Sequence, residues 1–277
     1  MNLKSFANTL IVVAVLAASA LTTGCNLYDP IDNPSGDAQL LSAARACFDQ
    51  GQFDCALEYY GKMSGSNADV VAAETAFVQL DKAGAGMGAL MKAVGNGSSG
   101  GASALTSLAG QLAVGAGSAK RLELLAAYNQ IAKIQSVPLK GLVRFVSSLA
   151  IAATILGEET HGRALLQKTD LLSNATSCTT VTCGTNPAGC LPLSPAVIIT
   201  GAEPATLNTA SLSATSPTWG MVNKALKEVL FALQNELSAS GKFSTGLGGF
   251  STAITAVDFS SQPGCYRLAL FNLGVGK

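Results

Sequence analysis

Apolar residues recur at helical spacing along most of this chain, a pattern that predicts an all-α protein. A first helix is predicted over residues 37–50, where Gly51 ends it, and a second over residues 53–63. Because the connection between them is very short, these two helices should form an antiparallel hairpin. Further helices are predicted over residues 68–80, 87–94, 102–114, 120–135, 138–157, 158–172, 219–237 and 253–257.

Residues 174–216 interrupt the helical pattern. They hold three cysteines together with many prolines, threonines and serines. We interpret them as an irregular insert pinned by disulfides, because loops of this length are uncommon inside compact domains. The predicted organisation is therefore a helical domain over residues 37–173, the insert, and C-terminal helices over residues 217–277 that pack on the same domain.

The first 24 residues are typical of a secretory signal peptide. Lys4 precedes an apolar run over residues 10–20, and small residues follow it. The run is shorter than the ~20 residues that span a bilayer, although a membrane-anchor helix is the alternative interpretation.

The residues that end this segment, Leu-Thr-Thr-Gly-Cys over 21–25, resemble the bacterial lipobox. The resemblance implies cleavage before Cys25, a diacylglyceryl thioether on its sulfur, and acylation of the new amino terminus, for example by palmitate. Asn26 in place of aspartate favours the outer membrane, with the protein facing the periplasm. An ordinary signal peptide followed by a structural cysteine is the alternative. Residues 25–36, rich in turn formers, then read as a tether.

Six of the seven cysteines remain once Cys25 is set aside. An even number in an exported protein indicates up to three disulfides. A metal site is the alternative, but the spacing of the central three fits no zinc motif and the chain has one histidine. The six candidate disulfide residues are Cys47, Cys55, Cys178, Cys183, Cys190 and Cys265.

The hairpin over residues 37–63 resembles a tetratricopeptide repeat. Ala44 and Ala56 stand where this family has small residues, and Tyr60 where it has an aromatic residue. Two cysteines, at the end of the first helix and the start of the second, resemble those of the disulfide-bridged Sel1-like repeats. The resemblance implies a Cys47–Cys55 disulfide and stacked antiparallel hairpins, in a TPR-like α-solenoid or an irregular helical bundle.

Composition narrows the class of protein. Hydrophobic residues make up 48% and charged residues 12% of the chain, which excludes a disordered protein. The longest internal apolar run, residues 142–157, contains Arg144 and is predicted to be a core helix rather than a membrane span.

Charge is distributed unevenly along the chain. Residues 29–81 carry nine acidic against two basic side chains, and residues 82–168 nine basic against three acidic. These are two solvated surfaces of opposite sign or a means of steering a partner. Nucleic acid is not an expected partner, because the basic residues are dispersed and aromatic residues are few.

Catalytic motifs are weak. His161, beside Glu158 and Glu159, is the chain's one candidate base and is interpreted as a surface residue. No nucleophile elbow or phosphate loop occurs in the sequence. A distant carboxylate pair for glycoside chemistry stays open. We therefore expect no catalytic residues, no metal and no cofactor.

The expected function is that of a lipid-anchored envelope protein that binds another envelope protein through a helical-repeat surface. The alternative function is that of a carrier that binds a small apolar ligand between its helices. A third hypothesis is that the protein is an enzyme.

Overall fold

The computed structural model describes residues 33–65, 67–96, 101–112, 118–158, 160, 166–167, 169 and 219–237. Within these ranges the protein is helical, contains no strand and has eight α-helices. The prediction of helical structure is therefore confirmed for the residues that the structure describes. The chain divides into two compact units between residues 66 and 67, inside the single domain expected over residues 37–173.

The first unit contains a hairpin of helices α1, Asp37–Asp49, and α2, Phe53–Gly61. Gly51 turns the chain between them with a φ of 72°, a conformation that favours glycine. The small residues Ala44 and Ala56 are both fully buried, which lets the two helices approach closely, and Tyr60 is buried with them. At the open end, one carboxylate oxygen of Asp37 accepts hydrogen bonds from the backbone N–H and the hydroxyl of Ser64, each at 2.9 Å.

The second unit contains the remaining described helices. They are α3, Ala68–Lys82; α4, Met87–Asn96; α5, Gly101–Leu112; α6, Ser118–Asn129, continued by a 3₁₀ turn, Gln130–Lys133; α7, Val137–Glu158; and α8, Trp219–Phe231, continued by a π-helical turn, Ala232–Leu237.

Helix α7 is the centre of the second unit. It packs against α3, α5, α6, α8 and the π-helical turn, and residues 143–157 are all buried. A helix that is apolar all round must be buried on every side, either in a protein core or in a membrane. By length and composition α7 is the one described helix that could cross a membrane, but here it is a core helix, as the sequence predicts.

One carboxylate fixes the start of α7. The two oxygens of Asp69, in the first turn of α3, accept hydrogen bonds from the backbone N–H groups of Gln135 and Ser136, at 2.8 and 2.7 Å. The carbonyl oxygen of Ser136 accepts the first bond of α7, from Lys140. Asp69 therefore ties the beginnings of α3 and α7 together.

The boundaries of several predicted elements differ from the structure. The helix expected over residues 120–135 begins at Ser118 and changes to a 3₁₀ turn at Gln130. Helix α7 ends at Glu158, where the carbonyl of Gly157 accepts bonds from the N–H and hydroxyl of Thr160. The insert over 174–216, most of the helix expected over 158–172 and the helix expected over 253–257 lie outside the described residues. Within the second unit, α3, α5, α6 and α8 pack around α7, and a TPR-like solenoid stays a prediction.

Candidate functional site

The structure joins two of the predicted site residues directly. Cys47, fully buried near the end of α1, forms a disulfide with Cys55 in the first turn of α2, with the two Cα atoms 5.8 Å apart. That separation is typical of disulfides. The remaining predicted site residues, Cys25, His161, Cys178, Cys183, Cys190 and Cys265, lie outside the described residues.

Aromatic and acidic side chains lie on the surface of the hairpin. The rings of Phe48 and Phe53, both half-buried, flank the α1–α2 turn with centroids 6.2 Å apart. Asp49 and Asp54, which follow these two residues in the sequence, are exposed. The hairpin therefore presents partly exposed aromatic rings next to negative charge.

An exposed ion pair lies at the C-terminal end of α2. Lys62 donates to Glu58 at 2.6 Å and stands over the ring of Tyr59, with its Nζ 5.2 Å from the centroid. The hydrogen bond to Glu58 raises the pKa of Lys62 above its usual value. Because both partners are exposed to solvent, this pair contributes little to stability.

A buried ionic cluster lies in the second unit, where α7 meets α8. Arg144, only 1% exposed, donates from Nη1 to Glu228 at 2.5 Å and from Nε to Glu236 at 2.9 Å. Its Nη2 lies 3.3 Å from the second oxygen of Glu236. The hydroxyl of Tyr128, on α6, donates to the other oxygen of Glu228 at 2.6 Å. We call these four residues, Tyr128, Arg144, Glu228 and Glu236, the Arg144 cluster.

The local structure of three elements builds this cluster. Arg144 comes from the second turn of α7, and its guanidinium lies 5.0 Å from the ring centroid of Phe231, where α8 ends. Gly141, one turn earlier, has no side chain, and a Cβ atom there would come within 2.5 Å of the Cβ of Glu236. The glycine therefore lets the π-helical turn approach α7 closely enough for Glu236 to reach Arg144.

Sequence reasoning noted Arg144 but missed its partners. The two glutamates lie 84 and 92 residues farther along the chain, and helical spacing does not relate residues across such a distance. The sequence feature that could have led to these partners is the free-energy cost of burying a charge. An arginine inside an apolar core helix needs buried anions, so acidic residues at apolar-face positions of another helix are the candidates.

A second ion pair, between a buried arginine and a partly exposed glutamate, lies at the other end of α7. Arg121 of α6, 1% exposed, pairs with Glu158, the last residue of α7. Burial lowers the pKa of Arg121, but a guanidinium stays charged at any physiological pH. The two arginine pairs therefore fix α7 near both of its ends, each to a different neighbouring helix.

The hydroxyl groups on α7 are mostly bonded to their own helix. Ser147 and Thr154 donate to carbonyls one turn earlier, at 2.7 and 2.8 Å. The hydroxyl of Ser148, one turn beyond Arg144, is buried and has no hydrogen-bond partner within the described part of the chain. These hydroxyl groups therefore take no part in the Arg144 cluster, whose members bond to one another.

The described residues contain no group of three or more histidine, cysteine or acidic side chains that could hold a metal ion. The geometry of the Arg144 cluster suits the fixing of helices, since each carboxylate is occupied by a guanidinium or a hydroxyl donor.

No family model matches this chain, and neither a curated protein nor a solved structure matches it either.

Proposed function

We propose that this chain is a non-catalytic lipoprotein of the bacterial cell envelope that binds another envelope protein through its helical hairpin. The Cys47–Cys55 disulfide is the observation that carries the proposal. Disulfides persist in oxidising compartments such as the periplasm and are rare in the cytosol. The bridge therefore agrees with the predicted export by a signal peptide over residues 1–24. The predicted lipid on Cys25 would anchor the protein to a membrane, and Asn26 favours the outer one.

The surface of the hairpin supports a binding role. Protein interfaces are enriched in aromatic residues, and Phe48, Phe53 and Tyr59 are each half-buried on this unit. The exposed carboxylates of Asp49 and Asp54 lie near two of these rings in sequence and would favour a partner with a basic surface. In this proposal the hairpin is the first member of a TPR-like or Sel1-like stack.

In situ crosslinking tests the proposal. The protein is purified from the membranes of its own cells after crosslinking, and copurifying proteins are identified by mass spectrometry. We expect one reproducible envelope protein with the wild type and its loss with the double variant Asp49→Lys/Asp54→Lys. The matched control is Lys133→Glu, which reverses an exposed charge on the second unit and should retain the partner.

Two outcomes would contradict the proposal. A protein that purifies alone with a bound lipid or small molecule would favour the apolar-ligand carrier instead. Retention of the partner by the Asp49→Lys/Asp54→Lys variant would remove the hairpin from the interface. The anchor is tested separately with Cys25→Ala, which should release the protein from the membrane fraction.

A further inference from the structure

The turn that carries Glu236 departs from the α-helix before it. Ala232–Leu237 directly continues α8 but is π-helical, so its N–H groups bond five residues back rather than four. Its sequence, ALQNEL, contains neither the glycine nor the proline that commonly breaks a helix. The cause of the wider turn must therefore lie in its contacts.

Helical geometry shows what the wider turn accomplishes. Two α-helical turns hold about 7.2 residues, so in an uninterrupted helix Asn235 would stand above Glu228 and face Arg144. In the structure Glu236 holds that place, since the π turn contains one residue more. Asn235 is instead exposed, and its amide donates to the carbonyl of Phe231 at 3.2 Å.

Two residues of α7 select the wider turn. Arg144 binds both carboxylate oxygens of Glu236, and the π register turns this glutamate toward the guanidinium. Gly141 leaves room for the Cβ of Glu236 and for the side chain of Leu237, which would lie 3.2 Å from an added Cβ. The ion pair supplies attraction, and the glycine removes the steric barrier.

We propose that the pairing of Arg144 with Glu236 sets the π-helical register of Ala232–Leu237, and that without this pair the turn takes an α-helical form. In the alternative form the same residues close into an α-helical turn that presents Asn235 to Arg144. Glu236 and Leu237 then rotate by about 100° away from Gly141. Glu236 is the less enclosed of the two anions, since its side chain is 8% exposed, while that of Glu228 is 0% exposed and is also held by Tyr128.

Deletion of Asn235 from the full mature protein is the first test. The deletion removes the extra residue, so Glu236 meets Arg144 from a regular α-helix. We expect a thermal unfolding midpoint within a few degrees of the wild type and a crystal structure without the π turn. Deletion of Lys227, in the regular part of α8, is the matched control and should lower the midpoint by on the order of 10 °C or prevent folding. Equal damage by both deletions would overturn the proposal.

An exchange of side chains at constant length is the second test. Glu236→Asn alone should lower the unfolding midpoint by on the order of 10 °C, because it leaves Arg144 without one of its buried anions. Adding Asn235→Glu should recover most of that loss and convert the turn to α-helix, as seen by NMR hydrogen-bond patterns. A double variant as unstable as Glu236→Asn, or one that recovers with the π turn intact, would show that the position of the glutamate does not set the register and would refute the proposal.

Discussion

Removal of the Cys47–Cys55 disulfide should unfold the hairpin locally. The bridge closes a loop with a sequence separation of 8 residues. Chain entropy then gives a stabilisation of about 2.5 kcal/mol, because each unfolded conformation is confined by the bridge. The hairpin depends on this contribution, since its helices have 13 and 9 residues and isolated helices shorter than about 12–15 residues are marginal in water.

Native-state hydrogen exchange measures this effect residue by residue. A loss of 2.5 kcal/mol corresponds to a roughly 60-fold larger open population, so the amides of α1 and α2 should exchange about 60-fold faster in Cys47→Ala/Cys55→Ala. Reduction of the wild type should reproduce the change. The amides of α7, in the other unit, serve as the internal reference.

A matched control keeps the disulfide. Ser64→Ala removes only the exposed hydroxyl bond to Asp37 and should change the exchange of the same amides by a few-fold at most. Unchanged exchange in the cysteine variant would refute the entropic reasoning. Equal acceleration in α7 would refute the treatment of the hairpin as a cooperative unit of its own.

Three further predictions concern the second unit. Asp69→Ala should lower the free energy of unfolding by about 1–2 kcal/mol in urea, because it removes both acceptors at the start of α7; Asp69→Asn, which keeps one oxygen, should lose less. Tyr128→Phe should cost about 1.5–3 kcal/mol by thermal unfolding, because Glu228 loses a buried donor; a loss below 0.5 kcal/mol would contradict the role given to that bond. Burial raises the pKa of Asp81, so its destabilising effect exists above that raised pKa and disappears as the pH falls through it. Asp81→Asn should therefore raise the unfolding midpoint at neutral pH but not in acid, and an increase independent of pH would contradict the desolvation argument.

Local sequence was sufficient to predict the hairpin. Small residues at two positions, Ala44 and Ala56, specify where the helices touch, and a glycine between them permits the positive φ of the turn. These features act within about 20 residues of chain, the range over which helical spacing and turn chemistry operate. The Cys47–Cys55 pairing followed from the family resemblance and is present in the structure.

The Arg144 cluster could not be predicted in the same way. Its members come from α6, α7, α8 and the π turn, and their proximity depends on how these helices pack. The π turn has no glycine or proline to mark it in the sequence, and its proposed cause is the ion pair with α7 together with Gly141. Sequence spacing predicted an α-helix through residue 237, as intrinsic propensity alone would give.

The charged residues of α7 also explain how this apolar helix can have a single position in a protein core. A helix that is apolar on all sides has few features that distinguish one rotation or one axial position from another, since most of its contacts are non-directional. Arg144 and Glu158 place directional contacts near its two ends, to α8 and α6 respectively. A buried ion pair is a poor source of net stability but can fix register, because a wrong rotation leaves a charge buried without an anion. In this chain the pair of Arg144 and Glu236 also determines, in our proposal, the register of the π-helical turn that follows α8. We therefore expect apolar replacement of the whole Arg144 cluster to leave the second unit folded but to lose the π-helical turn.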